Sequence, residues 1–245
     1  VAVDLTVFRS SRDRDGAATA GELDGFMTDV MGAINLNAKG FPFTMTSREY
    51  EDFGVMAGGQ VDLNTITKPK TGISENTVVE FIVDTYSKEE IEKVAIVAVP
   101  DRMGALLSGE LDYGVFPQPF MGIIMGNGGQ LVFNTAREEF YPVVLVFDDE
   151  YIKNNEKSVK AFYEGYNKTV EYMQSNPYDE YKDALVTFTL ATEENVDLYR
   201  LPVNEYCLNG VDETSFESIM SWSETKELID VNIEFDSIYN SKFVK

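Results

Sequence analysis

Short apolar strands and helices alternate along the first half of this chain, and that order restricts it to sheets covered by helices. Residues 3–8 read as a strand, with Val3, Leu5 and Val7 alternating against Asp4 and Thr6. An Ala-rich helix over 12–20 stops at Gly21, a strand follows over 23–28, and a helix over 29–38 ends at Gly40. Two more strands are predicted over 42–46 and 53–57. Gly58-Gly59 then opens a stretch without periodicity that runs through Lys68-Pro69-Lys70, and it reads as a connection. A second series begins beyond it. Strands are predicted over 71–73, 94–99, 111–116 and 131–134, with helices over 74–86, 101–108 and 119–125 between them. Such alternation favours parallel pairing through right-handed crossovers, and short uncharged strands suit sheets covered on both faces.

The texture changes after Tyr151. A helix over 152–174 sets Val159, Phe162, Tyr163, Tyr166, Val170 and Met173 on one face, and Asn176-Pro177 ends it. Further helices are expected over 180–190, 193–199 and 213–227, so the tail should pack around sheets already built.

Composition removes several functions. The 245 residues carry 20 basic and 42 acidic side chains, a net charge of −22, and the basic ones form no run. Nucleic acid is therefore not an expected partner, because phosphate neutralisation needs a basic surface. Apolar runs such as 143–147 are too short to span a bilayer, so no direct membrane insertion is expected. The chain opens on a strand-like alternation rather than a signal segment. The single cysteine, Cys207, gives no intramolecular disulfide. There is no histidine at all, which rules out Ser-His-Asp triads, Cys-His pairs and the common His-containing zinc sites. No catalytic residue, metal site or cofactor is expected.

Open α/β sheets bind ligands at the carboxyl ends of their strands, where helix N-termini offer unpaired N–H groups. Four junctions qualify. At Ser10-Ser11-Arg12-Asp13-Arg14-Asp15, Ser11 suits an N-cap, and the arginines either attract an anion or pair with the neighbouring aspartates. At Thr28-Asp29, the aspartate is an N-cap or a ligand contact. At Gly72-Ile73-Ser74-Glu75-Asn76-Thr77, Gly72 lets the backbone approach closely, Ser74 caps, and Asn76 and Thr77 project polar groups. At Pro117-Gln118-Pro119, two prolines hold Gln118 in one place or simply turn the chain. Gly126-Asn127-Gly128-Gly129 lacks the spacing of a phosphate loop and reads as a turn.

Taken in order, several stretches resemble one known group. They are Ser10 to Asp15 followed by Gly21-Glu22-Leu23-Asp24-Gly25, then Thr28-Asp29, Gly72 through Glu80, and Val99-Pro100-Asp101-Arg102. Leu106-Leu107-Ser108-Gly109-Glu110-Leu111-Asp112 and Pro117-Gln118-Pro119 complete the series. Their succession is similar to the extracytoplasmic solute-binding subunits of ABC importers for nitrate, sulfonates, taurine and thiamine-pyrimidine precursors.

The resemblance implies an α/β, two-lobe, type 2 periplasmic-binding fold, with mixed, mostly parallel sheets flanked by helices and a helical C-terminal tail. Residues 1–62 and 146–245 would form the first lobe and 63–145 the second, with crossovers near 58–64 and 143–147. It further implies capture of a small polar or anionic organic molecule in an interlobe cleft and delivery to a membrane permease. The location would be extracytoplasmic, periplasmic or as a cell-surface lipoprotein, the signal segment lying outside this chain. Ser10, Ser11, Arg12, Thr28 and Asp29 would line the cleft from the first lobe, and Ser74, Asn76, Thr77 and Gln118 from the second. Two departures stand out: relatives usually begin with a further strand and helix ahead of the strand matching 3–8, and often carry Glu where Gln118 stands. Two other readings of the same fold are an enzyme of pyrimidine-precursor or C–S chemistry, whose families rely on histidine, and a ligand-sensing module for a signalling partner.

Overall fold

The computed structural model describes residues 2–8, 10–87, 89–188, 191–194, 196–200 and 203–244. The chain divides into two compact units, Val1–Tyr50 with Pro142–Lys245, and Glu51–Tyr141.

The first unit begins with α1 (Ser11–Thr19), β1 (Gly25–Asp29), α2 (Val30–Ala38) and β2 (Phe43–Arg48). The second contains β3 (Phe53–Ala57), β4 (Lys70–Ile73), α3 (Val78–Tyr86), β5 (Glu92–Ala95), α4 (Val99–Ser108), β6 (Tyr113–Pro117), α5 (Phe120–Gly126) and β7 (Gln130–Asn134). The chain then returns to the first unit with β8 (Val143–Asp148), α6 (Asp149–Ser175), α7 (Lys182–Phe188), α8 (Glu213–Thr225) and α9 (Phe235–Ile238). This is the mixed α/β class that the alternation predicts, with a helical C-terminal region.

Strand order corrects the expectation of mostly parallel sheets. The first unit's sheet runs β1-β8-β2, with β8 antiparallel to both neighbours. The second unit's sheet runs β5-β4-β6-β3-β7. There β4 pairs in parallel with β5 and β6, while β3 is antiparallel to β6 and β7. The physical reason is insertion. The strands of each alternating series do run the same way, but the first strand after each crossing wedges between two of them in reverse: β8 between β1 and β2, and β3 between β6 and β7. Consequently the chain passes between units after Tyr50 and after Tyr141, rather than at 58–64 and 143–147. Residues 53–57 hydrogen-bond to β6 and β7, and 143–148 form the middle strand of the first unit's sheet.

Val143 to Phe147 are all buried, as a middle strand covered on both faces requires. Leu145 and Phe147 pack with Val159 and Tyr163 of α6 and with Phe243. Val144 and Val146 point to the opposite face by strand periodicity. That is the side of α2, whose Val30, Met31, Ala33, Ile34 and Leu36 are buried and which packs on α8. In the second unit Met56, Leu106, Leu111, Phe116, Met121 and Ile124 form the main cluster.

Other boundaries shift. Residues 3–8 form no strand: Val3, Leu5 and Val7 are 60%, 59% and 46% exposed. Their alternation has no partner ladder, and alternation alone does not satisfy backbone N–H and C=O groups. The helix expected over 180–190 is α7 preceded by a 3-10 turn at Tyr178–Glu180, and positions 189 and 190 lie outside the described residues. The stretch 193–199 holds a 3-10 turn, Val196–Tyr199, with position 195 likewise outside.

Candidate functional site

At the carboxyl end of β1, Asp29 caps α2 by accepting the Gly32 N–H at 2.8 Å. Burial pushes its carboxyl pKa upward, and Arg14 and the Gly32 N–H pull it back. A helix N-terminus stabilises negative charge, and here the chain's own Asp29 supplies it. Thr28 beside it is 3% exposed, and its Oγ1 is buried without a hydrogen-bond partner among the described residues. Gly32 makes room for that hydroxyl, since a Cβ at 32 would collide with Thr28 Oγ1.

The earlier loop behaves differently. Ser10, not Ser11, is the N-cap of α1; its Oγ accepts from the Asp13 N–H at 3.1 Å and donates to the Asp13 carboxylate at 2.8 Å. Ser11 falls in the first turn, and Arg12 is exposed. Arg14 turns inward instead, bonding Asp15 at 2.7 Å and resting over the Phe26 ring.

In the second unit, α3 starts later than the sequence predicts. Its N-cap is Thr77, not Ser74; Thr77 Oγ1 accepts the Val79 N–H and donates to the Ser74 carbonyl at 2.7 Å. Asn76 adopts φ 58°, which reverses the chain just before the helix. Its N–H reaches the Glu80 carboxylate at 2.8 Å, so Thr77 and Glu80 act much as a capping box does. Lys93 pairs with Glu80 at 2.7 Å. This N-terminus therefore also carries its own anion. Asn76 itself projects outward.

Ser74 and Gln118 remain available. Ser74 is buried, Gln118 is half-buried, and neither side chain has a hydrogen-bond partner among the described residues. They leave the carboxyl ends of β4 and β6, which are neighbours with Gly72 opposite Gly114. The Gln118–Pro119 peptide bond is cis.

Gly72 serves a purpose other than the one read from sequence. A Cβ there would lie 2.9 Å from Arg102 Cγ and 2.5 Å from Leu111 Cδ1. Arg102, 1% exposed, threads past it and donates to the carbonyls of Ile96 at 2.7 Å and Val115 at 3.0 Å. Burial lowers its pKa to about 10. The guanidinium thus ties the exit of β5 to the middle of β6, and the close approach that glycine permits is to this side chain.

Two acidic side chains at the crossings were not legible as site residues. Glu49 follows β2 and accepts the Tyr166 hydroxyl at 2.8 Å, while burial raises its pKa. Asp52 precedes β3, accepts from Asn134 at 2.5 Å, and is likewise raised by burial. An acid shortly past the strand predicted over 42–46 was the available signal for Glu49. Tyr166 was hidden in what reads as the apolar face of α6. Among the described residues no group of His, Cys, Asp and Glu stands where it could hold a metal ion, and no helix is long and apolar enough to cross a membrane.

No protein-family model matches the sequence, and no curated protein matches it. Solved structures do. The periplasmic aliphatic sulphonate-binding protein SsuA from Escherichia coli matches with a TM-score of 0.77 at 10% identity, over 94% of this chain and 84% of that one. The ligand-binding component of an ABC-type import system from Staphylococcus aureus matches at 0.74 and 15% identity, over 96% and 84%. A Candida albicans protein described as defining a new family with the generic periplasmic binding protein structural fold matches at 0.64 and 9%, over 95% and 84%. Across nearly its whole length, this chain has the periplasmic binding protein fold.

Proposed function

We propose that this chain is the solute-binding subunit of an ABC importer, holding a small polar organic molecule at its strand ends and passing it unchanged to a membrane permease. The observation that carries the reading is the likeness over 94% and 96% of the chain to binding components of importers. The strand ends add support: Ser74 and Gln118 offer a hydroxyl and an amide that no other described residue uses, and unpaired groups at such positions suit ligand recognition. Ser74, Gln118 and Thr28 carry the contacts in this proposal, whereas Asp29, Ser10 and Thr77 are spent on helix caps. Ser11, Arg12 and Asn76 would contribute at the margin. Binding without covalent chemistry accords with a sequence that has no histidine. An extracytoplasmic location belongs to the same proposal.

The test is a thermal-melting screen against small solutes, followed by calorimetry on those that raise the melting temperature. Ser74→Ala and Gln118→Ala should each weaken a genuine ligand about tenfold, the worth of one hydrogen bond in a partly dry site. Unchanged affinity in both variants would remove these two residues from the site.

A further inference from the structure

Glu49 poses a problem that the fold alone does not solve. It directly follows β2, one residue before the chain leaves the first unit. Among the described residues its carboxylate has one polar partner, the Tyr166 hydroxyl at 2.8 Å. No lysine or arginine among the described residues acts on it. The adjacent Arg48 is committed elsewhere, with Nε on the Gly210 carbonyl at 2.8 Å and its guanidinium 4.9 Å from the centre of the Tyr50 ring. Asp29 is compensated by a helix N-terminus and Arg14, and Glu80 by Lys93. Glu49 has neither kind of compensation.

A desolvated carboxylate without a cation is unfavourable by several kcal/mol or else takes up a proton. Yet Glu49 is not sealed in, because part of its surface stays open to solvent. Two tyrosines lie by this carboxylate, Tyr166 bonded to it and Tyr163 within reach of its charge. Tyr166 packs beside Phe162 at 6.1 Å between ring centres, Tyr206 acts on Tyr166 electrostatically, and Tyr163 feels the Glu49 charge. A carboxylate bordered by aromatic rings favours cations through both the charge and the ring quadrupoles.

From this we propose that Glu49, with Tyr166 beside it, is the subsite for a positively charged amine or ammonium group on the transported solute. The inference rests on the solute-binding reading and narrows its ligand class. It also fits the two helix N-termini, where Asp29 and Glu80 already occupy the positions an anionic ligand would take.

The experiment uses the full chain and a panel matched in size: small primary amines and quaternary ammonium compounds, neutral amides and alcohols, and carboxylates and sulfonates, with affinity read by calorimetry. Amines or ammonium compounds should bind tightest. Glu49→Gln should weaken them at least tenfold while leaving neutral compounds within about threefold. Charge preference in the unaltered protein is read without any variant, so a poorly folding Glu49→Gln does not block the test. Tightest binding by sulfonates or carboxylates, or undiminished amine binding by a folded Glu49→Gln protein, overturns the subsite and leaves the solute-binding reading standing. Binding by no class overturns both.

Discussion

The two units solve one topological problem in the same way and then diverge. Each has a βαβ pair with a reversed strand set between its members: β8 inside β1-α2-β2, and β3 inside β6-α5-β7. In the second unit the insert joins a five-stranded sheet braced by Arg102, a single buried cation bonded to a carbonyl just past β5 and to one in the middle of β6. The first unit has a three-stranded sheet, and hydroxyls link β2 to β8 and α6. Tyr163 donates to Thr46 at 2.7 Å and lies 2.8 Å from Ser47, while Thr46 donates to the Leu145 carbonyl. The same insertion is thus stabilised by one strong, hard-to-replace group in one unit and by a distributed network in the other.

That contrast predicts unequal fragility. Arg102→Ala should have the largest effect, about 3–5 kcal/mol lost in denaturant unfolding, since it empties core volume and strands two buried carbonyls. Tyr163→Phe, the matching change in the first unit, should cost only about 1–2 kcal/mol, because Thr46 and Ser47 keep other options. Equal losses would erase the distinction between a single brace and a network.

A smaller effect, of opposite sign, separates the acids. A carboxyl whose pKa is raised on folding contributes stability that is full below its ordinary value and is lost as pH rises through the folded value. For Glu49 the ordinary value is 4.5. Glu49→Gln should therefore melt at a higher temperature than the unaltered, ligand-free protein at neutral pH, with the gain shrinking as pH falls through the raised folded value and gone below the ordinary one. A melting temperature lowered by the substitution at neutral pH would show that the carboxylate is compensated after all. Smallest of all, Leu5→Ser should change stability by less than about 0.5 kcal/mol, because the side chain is 59% exposed. A larger loss would mean that residues 3–8 pack against something in solution.

Much of the element order was readable because periodicity is local. Residues 29–38, 53–57 and 131–134 fall on α2, β3 and β7 nearly residue for residue. Strand insertion was not readable, since the pairing of β8 with β1 and β2 joins segments about a hundred residues apart and leaves no local mark. Residues 3–8 misled for the same reason: alternation records which side chains are apolar, not whether a ladder exists. At the strand ends, the caps were assigned to the right loops but the wrong serines, because Ser10 against Ser11 and Thr77 against Ser74 are decided by backbone turns such as the one at Asn76. Arg102 and Glu49 escaped altogether. Their importance comes from burial, which a single sequence does not display.

The central claim is that the chain holds a small molecule and returns it unaltered. Native mass spectrometry of the purified protein, followed by denaturing release and rebinding of whatever is released, tests this most directly. The account predicts one bound small molecule whose mass is the same before binding and after release, and which raises the melting temperature when added back to stripped protein. A released compound that the protein converts to a different mass would contradict it.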